Sequence, residues 1–195
     1  MIRTADISRT TNETQVSVAL ALEGTGDGAR ATGIGFFDHL LDALARHGGL
    51  DLDIEASGDL ATGAHHTVED TGIVLGQALD EALGDRAGIT RFGQATVPMD
   101  EARATAVIDI SGRPYCVLEG ELPALSLAGF DTDLVQEFFL SVARAGKLTI
   151  HVRLEAGTNA HHMVEAIFKA FARALRAAVA LDPDQTRIPS TKGLL

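Results

Sequence analysis

The sequence predicts an α+β fold made by internal duplication, in which each half is a sheet with two helices on one face. Three observations indicate this fold. A His-His-x-x-Glu segment occurs twice, strand and helix periodicities come in the same order around both copies, and shifts of 96 to 98 residues match the two halves. We therefore expect repeats over 1–88 and 89–181, packed about a pseudo-twofold axis, followed by a tail over 182–195.

The first half shows both periodicities clearly. Val16, Val18 and Leu20 alternate with polar or small residues, which is the spacing of a half-buried strand. Val68 and Leu75 instead recur at helical spacing. A strand, a second strand, a helix, a strand and a second helix are predicted, in that order, over residues 1–9, 14–22, 36–46, 50–56 and 65–83.

The order begins again after a glycine-containing break at 84–88. A shift of 96 residues places His65 on His161 and Glu69 on Glu165, and a shift of 98 places Ala45 on Ala143. Such self-similarity is the mark of a repeated structural unit. In the second half, strands are predicted over 91–98, 103–110, 115–118 and 148–154, and helices over 132–145 and from the second His-His segment to Val179.

Composition narrows the function classes. The chain has 195 residues, 46% of them hydrophobic, which is enough for a substantial core. Its 16 basic and 27 acidic residues give a net charge of −11, which argues against nucleic acid or an anionic membrane as partner. Cys116 is the single cysteine, and no run without a charged residue exceeds nine residues. We therefore expect no disulfide, no signal peptide and no membrane span, and a cytoplasmic protein.

The duplicated segments are candidate metal-binding elements, since they hold four of the seven histidines. On a helix, His65 and Glu69 share one face at i and i+4, while His66 points about 100° away. One helix can therefore contribute ligands to two ions. Two helix N-termini with polar caps are the alternative, which the duplication disfavours.

Two more histidines, one on a predicted helix and one in a predicted strand, complete the expected ligand set. That set is His39, His65, His66, Glu69, His151, His161, His162 and Glu165. Three histidines and one glutamate per ion leave two octahedral positions open, as at a catalytic Mn²⁺ or other first-row divalent ion. His65 goes with one ion and His161 with the other, whereas His66 and His162 would cross to the opposite sites. Spacing does not tell which subunit supplies each ligand.

Eight segments of the chain carry a specific resemblance when taken in order. They are RTTNET at 9–14, GFFDHLL at 35–41, AHHTVED at 64–70, RFG at 91–93, PMDEA at 98–102, SGRP at 111–114, AHHMVE at 160–165 and PSTKG at 189–193. Together they resemble one known family, the imidazoleglycerol-phosphate dehydratases of histidine biosynthesis. The resemblance runs essentially from end to end. It implies a duplicated α+β fold, two Mn²⁺ ions per active site, and a homo-oligomer of 24 subunits built from trimers that share active sites.

The resemblance also implies the reaction, in which imidazole glycerol phosphate loses water to give imidazole acetol phosphate. An imidazole held as imidazolate by two metal ions could expel the hydroxyl group on the adjoining carbon. Glu13 is the candidate acid and base, and Asp100 a weaker candidate for a polar partner. By motif match, the substrate phosphate would be bound by Arg91, Arg113, Lys169, Ser190 and Lys192. Ala43 departs from the family pattern, in which a glutamine is expected.

Two alternatives from other classes stay open at this point. A non-catalytic metal store or sensor could use the paired His-His-x-x-Glu helices, but it would not need Arg91, Arg113 or the Ser-Thr-Lys-Gly tail. A metal-dependent hydrolase could use a metal-bound hydroxide. Binding of an imidazole-phosphonate or triazole-phosphonate mimic only in the presence of metal would favour the dehydratase.

Overall fold

A computed structural model of the chain describes residues 3–195, so the first two residues of the predicted edge strand lie outside the described part. Within 3–195 there are two four-stranded sheets, one small two-stranded sheet and four helices. The elements are β1 Thr4–Thr10, β2 Thr14–Ala21, β3 Arg30–Ala31, α1 Gly35–Gly48, β4 Asp51–Gly58, α2 His65–Leu83, β5 Phe92–Met99, β6 Ala102–Asp109, β7 Tyr115–Glu119, β8 Ser126–Leu127, β9 Phe130–Asp131, α3 Leu134–Gly146, β10 Thr149–Ala156 and α4 Ala160–Val179.

The two large sheets have the same topology. Their strand orders are β1-β2-β4-β3 and β5-β6-β10-β7. In each sheet the first three strands pair antiparallel, and the fourth lies parallel to its neighbour at the edge. This repetition confirms the predicted α+β duplication. The two-residue strands β3, β8 and β9 were not among the predicted strands, because two residues are too few to show a period.

The helices of the two halves exchange partners. α2 packs across β1 and β2 of its own half and against α3 of the other half, while α4 packs across β5 and β6 and against α1. The Phe37 ring of α1 lies 5.5 Å from that of Phe138 on α3, so one apolar core spans both halves. This exchange brings the start of α1 next to the first turns of α4, and the start of α3 next to the first turns of α2. The residue bounds of the two repeats remain a prediction.

Close helix packing depends on small residues on α2. A Cβ atom added at Gly76 would lie 2.8 Å from the carbonyl oxygen of Val142 on α3. Side chains cannot be that close to a backbone oxygen, so glycine lets the two helices approach.

Within residues 3–195, no helix combines the length and the apolar character needed to cross a membrane.

We expect Gly93→Ala to lower the free energy of unfolding by about 1–3 kcal/mol, as overpacking of a close contact does. A Cβ at Gly93, on β5, would lie 1.9 Å from the carbonyl oxygen of Ala174 on α4. Urea unfolding at a fixed protein concentration measures the change. Gly35→Ala is the matched control, because no atom lies within 4 Å of its added Cβ. Equal stability of the two variants would contradict the proposed close contact.

Candidate active site

One group of possible metal ligands joins α1 to α4. Glu165 Oε1 lies 2.8 Å from His39 Nε2 and 2.8 Å from His161 Nε2. The glutamate is buried, whereas about half of each imidazole is exposed. One ligand atom from each of the three residues lies within 4.8 Å of the other two. This α1–α4 ligand group therefore presents two imidazoles and a carboxylate to a common point that solvent can reach.

A second group, related to the first by the duplication, joins α2 to α3. It consists of His65, Glu69 and Glu137, again with ligand atoms within 4.8 Å of one another. His65 Nε2 is 3.8 Å from Glu69 Oε2. Glu137 was not among the predicted ligands, although the shift of 98 residues that matches the halves places His39 on Glu137. The α2–α3 ligand group is thus the counterpart of the first, with a carboxylate in place of one imidazole.

The electrostatics of Glu165 suit it to bind a cation. Burial opposes its ionisation, but hydrogen bonds from Lys169, His39 and His161 outweigh the burial and lower the pKa of Glu165 to about 2. The ammonium group of Lys169 also forms an ion pair with this carboxylate. Glu165 is therefore an anion throughout the neutral pH range.

The second histidine of each pair points away from both groups. The His66 ring stands at 87° to that of His65, and the His162 ring at 89° to that of His161. Each has a carboxylate partner at Nδ1. For His66 that partner is Asp59, and the hydrogen bond that His66 donates to it raises the pKa of His66. Neither His66 nor His162 joins a ligand group within the described chain, so their crossing to opposite sites stays a prediction.

His151 and His47 lie outside the ligand groups. His151 is exposed on β10, and its ring stacks with Tyr115 at 6.4 Å between centroids. The structure does not bring it to either group within one chain, so its role as a ligand also stays a prediction. His47, the histidine left over from the predicted set, lies in the last turn of α1. Burial and the positive charges of Lys169 and Arg173 lower the pKa of His47, as expected of a packing residue.

Glu13, the candidate acid and base, and Asp100, the candidate polar partner, lie in equivalent hairpin turns. Glu13, between β1 and β2, is 57% exposed, and its Oε2 is 3.8 Å from His66 Nδ1. Asp100, between β5 and β6, has Oδ2 3.7 Å from His162 Nε2. Both turns therefore hold a carboxylate over the start of a His-His helix.

Asp70 anchors the turn that carries Glu13, a role that the sequence analysis did not assign. It is buried in the first turns of α2, accepts a hydrogen bond from the hydroxyl group of Thr14 and pairs with Arg9 at 2.5 Å. These contacts tie both ends of the turn to the helix. The position of Glu13 relative to His66 is thus fixed by a buried ionic contact.

The predicted phosphate-binding residues are split within one chain. Arg91 Nη1 donates a hydrogen bond of 2.7 Å to the carbonyl oxygen of Pro189, which joins the tail to the start of β5. Its backbone N–H donates to the carbonyl oxygen of Ala178 near the end of α4. Lys169 lies nine residues before Ala178, about 13 Å along the helix. The structure therefore places Arg91 with the tail and Lys169 with the α1–α4 ligand group.

The remaining members of that set lie in turns. Arg113 Nη1 donates to the carbonyl oxygen of Ser111 at 3.3 Å, leaving most of its guanidinium donors available. Ser190 Oγ accepts the backbone N–H of Lys192 at 3.2 Å. Arg91 is less available, because Asp109 accepts its Nε at 2.7 Å.

Comparisons with known proteins agree with this architecture. A family model described as imidazoleglycerol-phosphate dehydratase matches residues 32–175. Proteins of that name from Lacticaseibacillus casei strain BL23 and Frankia casuarinae are 54% and 56% identical to the chain, over 100% of both chains in each case.

Two solved structures are also similar. The crystal structure of imidazoleglycerol-phosphate dehydratase from Staphylococcus aureus N315 superimposes with a TM-score of 0.82 at 42% identity, over 93% of this chain and 100% of that one. The Pyrococcus furiosus enzyme in complex with (S)-C348 gives 0.84 at 40% identity, over 97% and 100%. The chain therefore belongs to the imidazoleglycerol-phosphate dehydratase family, the hydro-lyases of histidine biosynthesis.

Proposed function

We propose that this chain dehydrates imidazole glycerol phosphate to imidazole acetol phosphate at a site that holds two Mn²⁺ ions. The observation that supports it best is the pair of ligand groups related by the duplication. Each offers three donors of the kind that Mn²⁺ and other first-row divalent ions accept, namely imidazole and carboxylate. A substrate whose reacting carbon adjoins an imidazole ring with two nitrogen atoms suits a site with two such ions.

The residues present fit the ions. His39, His161 and Glu165 would hold one, and His65, Glu69 and Glu137 the other. When bound, the ions would act as Lewis acids on the two ring nitrogens of the substrate and orient the ring. Buried Glu165 needs a positive partner, and in the chain alone Lys169 provides it.

Glu13 would move the protons. The reaction removes a hydroxyl group from the carbon attached to the ring and a proton from the next carbon, and the resulting enol becomes a ketone. A single carboxyl group can protonate the departing hydroxide and then accept the carbon proton. Glu13 is exposed and is held over His66 by the anchored turn, and among residues 3–195 no lysine or arginine forms an ion pair with it. Asp100, over His162, would be a polar partner of the substrate.

Neighbouring subunits would complete the site. Each ligand group has three donors, while His66 and His162 direct their rings elsewhere, and Lys169 lies far from Arg91. A shared site at subunit contacts would supply the missing ligands and reunite the phosphate-binding residues. We propose a cytoplasmic homo-oligomer of 24 chains of 20.5 kDa, or about 490 kDa, built from trimers. Light scattering coupled to size exclusion measures that mass.

The activity itself is tested by incubating metal-stripped protein with imidazole glycerol phosphate, with and without added Mn²⁺. Formation of imidazole acetol phosphate that requires the metal supports the proposal. A protein that binds Mn²⁺ but forms no product would instead be a metal store. Release of inorganic phosphate would indicate a hydrolase.

We expect Arg113→Ala to raise KM for the substrate by about 10-fold or more while kcat changes by less than about 2-fold. A phosphate contact binds ground state and transition state alike, and a hydrogen bond to a charged group contributes about 1.5–3 kcal/mol. Steady-state kinetics at saturating Mn²⁺ measure both constants. Arg153→Ala, which removes an exposed arginine paired with Glu119, is the control. A fall in kcat alone would place Arg113 at the imidazole ring instead.

A further inference from the structure

The second histidine of each pair is held by a carboxylate at Nδ1. His66 Nδ1 lies 3.1 Å from both Asp59 Oδ1 and Asp59 Oδ2, and His162 Nδ1 lies 2.8 Å from Glu101 Oε2. An ionised carboxylate is an acceptor only, so each Nδ1 must carry the proton. The opposite nitrogen, Nε2, is then left with a free lone pair in the neutral ring.

The two carboxylates are not equivalent in the duplication. β2 begins at Thr14, directly after Glu13, and β6 begins at Ala102, directly after Glu101, so Glu13 is the counterpart of Glu101. In the second half, this turn glutamate binds the histidine. In the first half, Glu13 remains 3.8 Å from His66 and Asp59 binds the ring instead.

Asp59 itself occupies a position that differs between the halves. Asp59 follows the last residue of β4, and the residue that follows β10 is Gly157. Glycine has no side chain that could reach a histidine. Each half thus has one carboxylate engaged with its second histidine. The carboxylate left exposed in the turn is Glu13 in the first half and Asp100, the neighbour of Glu101, in the second.

We propose that Asp59 and Glu101 are positioning residues that fix His66 and His162 with Nδ1 donating and Nε2 presented to a metal ion, and that Asp59 thereby frees Glu13 for proton transfer. This inference rests on the metal site of the proposed function. A carboxylate behind a ligating histidine sets its tautomer and ring orientation, and its loss typically costs 10- to 100-fold in metal affinity.

Asp59 is the better residue to test, because Glu101 has a second role. Glu101 Oε1 accepts the backbone N–H groups of Thr158 and Asn159 at the start of α4, so its removal would also loosen that helix end. The other contact of Asp59 is with Thr62, in its own loop. Asp59→Asn keeps an oxygen that can accept the Nδ1 proton and lets its amide face the Thr62 hydroxyl group.

The experiment measures Mn²⁺ affinity of the assembled protein by titration calorimetry after metal removal, together with turnover at saturating Mn²⁺. We expect Asp59→Ala to bind Mn²⁺ about 10- to 100-fold more weakly. Its turnover should stay low at saturating metal, because Glu13 is then drawn to His66. Asp59→Asn should restore most of the Mn²⁺ affinity and most of the turnover. Asp53→Asn should change neither, because among residues 3–195 the Asp53 carboxylate accepts only the backbone N–H of Ala29.

The outcomes separate this inference from the proposed function. Wild-type affinity and turnover in Asp59→Ala, with normal Mn²⁺ binding in the unmutated protein, overturn the inference alone. The inference is also overturned if Asp59→Asn loses as much Mn²⁺ affinity and turnover as Asp59→Ala does. Failure of the unmutated protein to bind Mn²⁺ overturns both.

Discussion

Replacing Glu13 by Gln is expected to lower turnover at least about 100-fold, the usual scale for the loss of a general acid or base. Glutamine keeps the size of the side chain and its place in the turn but cannot release or accept a proton. The backbone N–H of Glu13 donates to the Thr11 hydroxyl group, and Asp70 anchors the turn through Thr14, so neither contact depends on the glutamate side chain. Structure and Mn²⁺ content should therefore be unchanged.

Single-turnover and steady-state kinetics at saturating Mn²⁺ test the expectation, with circular dichroism and metal analysis to verify the fold and the metal content. Glu155→Gln is a suitable control, because Glu155 is bound to Arg103 and Thr105 on β6 and touches neither ligand group. Unchanged turnover in Glu13→Gln would remove Glu13 from the mechanism. A parallel loss of Mn²⁺ would assign it to metal binding instead.

Much of the fold follows from local patterns. Strands β2 and β4 each have one buried face, so alternation of apolar residues marks them, and the duplicated helices carry continuous apolar stripes. The pairing of His161 with Glu165 also follows from spacing, because helix geometry alone brings i and i+4 together. The same reasoning placed His65 with Glu69.

Other parts of the site depend on contacts between elements that are distant in sequence. Glu137 reaches the α2–α3 ligand group only because helices of the two halves exchange partners, and no local pattern of α3 indicates that contact. Glu101 likewise meets His162 from a hairpin turn 61 residues earlier in the chain. Asp59 is close to His66 in sequence, but their contact depends on the path of the loop between β4 and α2, which has no periodic pattern. For His151 the local pattern does give the face, since buried Ile150 and Val152 put it on the exposed side of β10. That pattern does not show whether a neighbouring subunit brings His151 to a ligand group.

The effect of metal removal on stability should depend on pH, because the histidines that would bind the metal also bind protons. In the metal-free chain, the hydrogen bonds that His66 donates to Asp59 and His162 donates to Glu101 raise the pKa values of the two histidines above the ordinary 6.5. A raised folded-state pKa stabilises the fold fully below the unfolded value, and this contribution is lost as pH rises through the raised value. Mild acidification should therefore stabilise the fold of the metal-free protein through these two residues.

Bound metal reverses that dependence. A ligating histidine must be unprotonated at the nitrogen that binds the ion, so protons compete with Mn²⁺ once pH falls below the raised pKa values, and the competition begins above pH 6.5. Stabilisation by the metal should be complete at higher pH and decline on acidification. The increase in Tm on adding Mn²⁺ should therefore become smaller as pH falls. Acidification lowers the stability of the metal-bound protein and raises that of the metal-free protein.

The test strips the protein with a chelator and follows Tm, particle size and activity from about pH 5 to about pH 9, with and without Mn²⁺. We expect no activity in stripped protein, full recovery with Mn²⁺ at the alkaline end, and smaller particles without metal if neighbouring subunits donate ligands. A Tm increment independent of pH would exclude His66 and His162 as ligands. Full activity of stripped protein would exclude the metal mechanism, and loss of activity at constant particle size would show that the ions do not hold the subunits together.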